Sequence, residues 1–189
     1  MESIEPHYLW RDMYKSEDDE NSPFYEREYS EFDFTNQIYN YLIHPQWDDF
    51  GTPTLYVKII FVDYNKGFLV AELLGEWNDA LHNDIMFLKR DVMEVFNAAG
   101  IDKFILIGEN VLNFHASDDS YYEEWFQDIE EEGWIVALNF QEHVLHEMKH
   151  ANIDYYLNFG GEFDNMPWRT FSPFQLYQRI KEIIGRRLN

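Results

Sequence analysis

The chain contains no cysteine. Disulfides, thiolate nucleophiles, zinc knuckles and iron–sulfur ligation are therefore closed to it. Basic residues are scarce: 14 against 36 acids leave a formal charge of -22. Such a surface repels nucleic-acid phosphates and anionic lipid, so neither nucleic acid nor membrane is an expected partner. No apolar run approaches the length of a membrane span. The opening Met1-Glu2-Ser3-Ile4-Glu5-Pro6 has neither the basic region nor the apolar stretch of a signal peptide, which makes a cytoplasmic location the expectation. None of G-x-x-x-x-G-K-[ST], G-x-G-x-x-G or G-x-S-x-G occurs, and Gly160-Gly161 is too short to cradle a phosphate. No cofactor is expected.

What the chain does have is apolar and aromatic material for one core. Residues 1–50 read as an acidic, aromatic arm with a short helix, and residues 51–189 as an α/β domain. In the arm, Tyr8, Trp10 and Tyr14 precede the charged run Ser16 to Ser22, and Phe24, Tyr25 and Tyr29 follow it. The run is expected as exposed loop, for want of apolar anchors. Thr35 is placed to cap a helix over 36–43 ahead of Pro45. Thr54 to Val62 and Phe68 to Leu74 read as a hairpin turning at Asn65-Lys66-Gly67, with Leu55, Val57, Ile59 and Phe61 on one face. Apolar residues at steps of three and four from Leu81 to Ala99 predict a helix that Gly100 stops. Phe104 to Ile107 and Trp134 to Phe140 read as buried strands, Asp154 to Phe159 as a last strand. A helix follows the capping pattern Ser120-Tyr121-Tyr122-Glu123, another spans 142–151, and Ser172-Pro173-Phe174-Gln175 opens a final one that Gly185 closes. The fold class is thus α/β: a mixed sheet with a leading antiparallel hairpin followed by β-α units.

That order resembles the STAS fold of anti-sigma-factor antagonists and the wider STAS/SEC14 group, over roughly residues 54–184. The residues carrying it are Leu73-Leu74-Gly75-Glu76-Trp77 entering the long helix, Phe104-Ile105-Leu106-Ile107, Ala116-Ser117-Asp118-Asp119-Ser120, Trp134-Ile135-Val136-Ala137-Leu138, and Trp168-Arg169-Thr170-Phe171-Ser172-Pro173 before the last helix. The resemblance implies a regulatory serine at the start of the helix after the second parallel strand, where Ser117 and Ser120 stand. The family's Ser-Ser-Gly setting is absent there. Asp118 and Asp119 surround both hydroxyls, and a phosphate beside two carboxylates is electrostatically costly. Ser120 also reads simply as a helix cap.

One segment carries chemistry in its spacing. His146-Glu147-Met148-Lys149-His150 fits H-E-x-x-H, which on a helix places two imidazoles on one face for zinc, with Glu147 as general base. The helical wheel argues otherwise. Val144, Leu145, Met148 and Ala151 form the apolar face, and His143, His146 and His150 lie nearly opposite, toward solvent. Lys149 puts a cation inside the motif, the helix is short, and a third ligand from Asp154 or Glu162 is only assumed. An exposed polar face is the first reading. A metal site of His146, His150 and His143 serving a zinc hydrolase is the alternative, and adventitious surface metal binding a third.

The functional expectation is a non-enzymatic regulatory or binding module acting through protein contacts or an apolar small molecule, with a homodimer open. A zinc-dependent hydrolase is the rival, and an acidic mimic of nucleic acid a third reading that rests on charge alone.

Overall fold

A computed structural model describes residues 2–188. Four strands make the main sheet in the order β4-β5-β6-β7: β4 Leu55–Asp63, β5 Phe68–Asn78, β6 Lys103–His115 and β7 Trp134–Leu138. β4 and β5 are the antiparallel hairpin; β5, β6 and β7 run parallel. The mixed sheet with a leading hairpin and following β-α units is the architecture. A second, three-stranded sheet is built from the arm: β1 Glu2–Ile4, β2 Asn36–Ile38 and β3 Tyr41–Ile43.

Both faces of the main sheet are covered. On one lie α1 Asp79–His82, α2 Asp84–Phe87, a π-helical segment Leu88–Met93, α3 Glu94–Ala98, α4 Ser120–Ile129 and α5 Glu142–His150, packed on Leu69, Ala71, Phe104, Leu106, Ile135 and Ala137. On the other lies α6 Pro173–Leu188, together with Trp10 and Trp168, on Val70, Ile105, Ile107 and Val136. Alternate residues in the middle of the strands therefore feed two cores, which is why runs such as Leu69-Val70-Ala71 and Phe104-Ile105-Leu106-Ile107 are continuously apolar. The arm is folded into both: Phe24 joins the first core and Trp10 the second.

Several local expectations need correction. Residues 36–43 form the β2–β3 hairpin rather than a helix, turning at Tyr39 with φ 50° and paired along its other edge to β1. Eight residues are too few for a helix to hold by itself, and β1 offers backbone partners instead. A bulge between Ile59 and Phe61 breaks the alternation of β4, so Phe61 faces the α6 core while Leu55, Val57 and Ile59 face the other. In the run 16–22, Asp18, Glu20 and Asn21 are exposed as expected, but Ser16–Asp18 form a 3-10 turn and the hydroxyls of Ser16 and Ser22 are buried, joined by a 2.6 Å hydrogen bond. Hydroxyl pairing anchors it where apolar groups are lacking. The long helix is interrupted at Asn83, φ 56°. The expected strand 154–159 is a 3-10 turn, Ile153–Tyr155, followed by a single bridge from Asn158 to Val136. Gly185 does not end α6, which continues to Leu188. The capping box at α6 is as expected: Gln175 N donates to Ser172 Oγ at 3.2 Å and Ser172 N to Gln175 Oε1 at 2.9 Å.

Gly75 sits at the second bulge of β5 with φ 119°, where a Cβ would collide with the carbonyl oxygen of Thr54. Among the described residues, no helix is long and apolar enough to cross a membrane.

Candidate functional site

The parallel strands β5, β6 and β7 point the same way, but β7 stops at Leu138 opposite Ile107 while β5 and β6 run on as a pair to Asn78 and His115. α5 presents Val144 and Met148 to the core, with Leu145 half-buried; His143, His146, Glu147, Lys149 and His150 are exposed. His143, His146 and Glu147, with Glu142, form one wall of an open cleft of about 770 Å³. The other wall is the end of β6, with Asn113, Phe114 and His115. His150 is not part of that lining. His143 Nε2 lies 2.7 Å from the Leu112 carbonyl, which can only accept, so that nitrogen carries the proton. Of the assumed third ligands, Asp154 is exposed in a 3-10 turn, and Glu162 is held by Arg179 at 2.6 Å and Arg186 at 2.9 Å. Among the described residues, no group of three histidines and carboxylates is arranged to hold a metal ion.

Ser117 and Ser120 are exposed on the turn between β6 and α4. Ser120 is the first helical residue, not the cap; Asp119 precedes the helix and makes no side-chain capping bond. Instead Asp118 Oδ1 accepts from both the Ser120 hydroxyl and, at 3.0 Å, the Ser120 amide. Those bonds hold the Asp118 carboxyl below its usual range, the hydroxyl bond contributing most. The serine hydroxyl is thus committed to the Asp118 carboxylate.

At the start of α1 and α2 lies a polar cluster that no sequence motif announces. Asp79 Oδ1 accepts from Trp77 Nε1 at 3.0 Å and from the Ile85 amide at 2.8 Å, while Oδ2 accepts from Tyr122 at 2.6 Å. Asp84 Oδ2 accepts from the Asn78 amide at 2.7 Å, and its Oδ1 is buried without a protein partner. Burial raises both carboxyls to about 6, and the charge of Asp79 adds to the rise at Asp84. On the rim, Glu76 accepts from the Tyr39 hydroxyl, which chiefly holds its carboxyl low, and lies 3.7 Å from His115. The hairpin of the small sheet therefore reaches the edge of the cleft. The legible signal for Asp79 and Asp84 was their place in the first turns of two helical segments, where carboxylates cap amides.

The arm contributes a third feature. Tyr8, Leu9 and Met13 are exposed, Leu9 at 64%, although Trp10 between them is buried. Phe32 is 85% exposed, and Phe34 packs edge-on against His44 at 5.5 Å. Of these residues Tyr8, together with Glu31 and His44, lines a cavity.

No protein-family model and no curated protein matches the chain. Among solved structures, it is similar to the anti-sigma factor antagonist SpoIIAA in its unphosphorylated form, at 13% identity and a TM-score of 0.47. The alignment covers 68% of this chain and 96% of that one, and the resemblance is one of fold.

Proposed function

We propose that this chain is a non-enzymatic regulatory or binding module that acts through contact between its arm and a protein partner with a basic surface. The observation that carries this reading is the arm itself. The same ordered segment buries Trp10 and Phe24 yet holds Tyr8, Leu9, Phe32 and Phe34 toward solvent. Burying one such side chain is worth about 1.5–3 kcal/mol, so a partner covering several gains enough to offset much of the cost of association. The charge of -22 makes the choice of partner one-sided: a basic surface is steered in, and an acidic one, including a second copy of this chain, is repelled. The cytoplasm is the setting we assign to that encounter.

The test is to recover partners from the source cell by cross-linking, purify the leading one, and measure its affinity for the intact chain. Leu9→Ser combined with Phe32→Ser should weaken binding roughly ten-fold or more, since each removes an anchor of the order of 1–3 kcal/mol. The thermal midpoint should stay unchanged. Affinity should also fall as salt rises. Unchanged affinity in the double variant would place the contact elsewhere, and self-association through this surface would replace the partner with a second copy.

A further inference from the structure

Among the described residues two lysines are buried, and they are treated differently. Lys89, 2% exposed, is met by three carboxylates: Asp128 at 2.9 Å, Glu94 at 3.2 Å and Glu124 at 3.4 Å. Lys58, on β4 and 3% exposed, meets no carboxylate at ion-pair distance among the described side chains. Its ammonium has one hydrogen-bond acceptor, Gln46 Oε1 at 3.3 Å, and lies over the Tyr29 ring at 4.1 Å. A buried ammonium is costly unless paired, and this one keeps donor capacity in hand.

The same Gln46 oxygen is also held by Arg11 Nη1 at 3.1 Å. Two cations from distant parts of the chain therefore converge on a single neutral oxygen. Around them is a cavity of about 270 Å³ whose inner lining includes His7, Arg11, His44, Gln46 and Lys58. His7 Nε2 is buried with no hydrogen-bond partner among the described residues. Of the neighbouring carboxylates, Asp48 Oδ1 accepts from Arg27 at 3.0 Å and Tyr29 at 2.6 Å, while Glu17 Oε1 accepts from Arg11 Nη2 and leaves Nη1 to Gln46. Each keeps its second oxygen buried and unpartnered, close enough to counter the fall that burial imposes on the Lys58 pKa.

We infer that this cavity beneath the arm binds a small carboxylate, gripped by Lys58 and Arg11 where Gln46 now bridges them. The volume lies near the lower end of ligand pockets, roughly 300 Å³, which suits a molecule of amino-acid size and not a nucleotide. Glu5 and Glu31 are exposed at the mouth, so a second negative charge on the ligand meets repulsion there, whereas a neutral or ammonium remainder does not. The planar guanidinium of Arg11 matches a carboxylate better than a lone ammonium would. A bound carboxylate would clasp residues 7 and 11 to the sheet, beside Tyr8 and Leu9 of the docking surface. The binding itself does not depend on that surface having a partner.

The experiment titrates the full chain with acetate, glycine and inorganic phosphate at constant ionic strength and pH, following backbone amide shifts by NMR. The expected result is saturable, single-site binding of glycine and acetate that moves the amides of His7, Gln46 and Lys58. Lys58→Met should weaken it by roughly ten- to a hundred-fold, the worth of a charge-assisted hydrogen bond. If Lys58→Met fails to fold, Gln46→Glu serves instead. It supplies an internal carboxylate to the same two cations, and should abolish carboxylate binding while raising the thermal midpoint. Three results would overturn the inference: no saturable shift with either carboxylate, carboxylate binding that survives Gln46→Glu, or phosphate bound with glycine and acetate ignored.

Discussion

The hydroxyl of Tyr122 donates to Asp79 Oδ2 at 2.6 Å, tying the first turn of α4 to the end of β5. Both groups are buried, and Tyr122 also stacks near Trp77, with ring centroids 6.3 Å apart. Tyr122→Phe keeps the packing and removes only the donor, leaving a buried carboxylate oxygen unpartnered. Urea denaturation should show a loss of about 1–3 kcal/mol. A loss within error would mean that water replaces the hydroxyl there.

Asp84 offers a test by pH. Its carboxyl rises from 3.8 to about 6 in the fold, chiefly through burial. The folded state then holds the proton more tightly than the unfolded chain. The stabilising contribution is fully present below about 3.8 and is lost as the pH rises through about 6. Asp84→Asn should therefore be more stable than the parent at pH 7, by about 1–3 kcal/mol, with the difference shrinking toward pH 4. Parallel stability curves for the two proteins between pH 4 and 7 would contradict this.

The two faces of α5 should respond oppositely to substitution. Met148 is fully buried, and Met148→Asp places an unpaired charge in the core; a loss of several kcal/mol, of the order of 2–7, is expected in thermal unfolding. His146→Ala and Glu147→Ala, on the exposed face, should each cost less than about 1 kcal/mol. Metal analysis of untagged protein belongs beside these measurements. Stoichiometric zinc that disappears in His146→Ala, with a hydrolytic activity lost in Glu147→Gln, would restore the hydrolase reading of this segment.

Gly75→Ala tests the bulge. The added methyl meets the Thr54 carbonyl oxygen, which is backbone and cannot swing aside, at a φ of 119°. The change should cost about 1–3 kcal/mol or more and weaken the β4–β5 pairing near Leu55. Hydrogen exchange at Leu55 and Glu76 would report it, and unaltered protection there would show that the strand shifts freely.

Much of the architecture was legible because its signals are local. The helix face of Val144 and Met148, the reciprocal cap of Ser172 and Gln175, and the continuous apolar run at Phe104 to Ile107 each follow from a few adjacent residues obeying helical or strand geometry. The misread segments are those that partners at a distance decide. Residues 36–43 became a hairpin because β1 lies beside β3, and residues 154–159 make only one bridge, from Asn158 to Val136 beside β7. β6 ran on to His115, carrying Asn113 and His115 to the cleft, because β5 pairs with it along that whole length.

The candidate sites divide in the same way. From the sequence alone, periodicity put His143, His146 and His150 on the face opposite Val144 and Met148, since a 3.6-residue repeat leaves no other arrangement once the apolar stripe is buried. No such rule connects Arg11, Gln46 and Lys58, or Asp79 and Tyr122, which stand 43 positions apart. Their meeting depends on how the arm crosses the hairpin and where α4 docks on the sheet. Those are long-range contacts chosen by the packing of two cores, and only the tertiary structure decides which polar groups that packing leaves buried together.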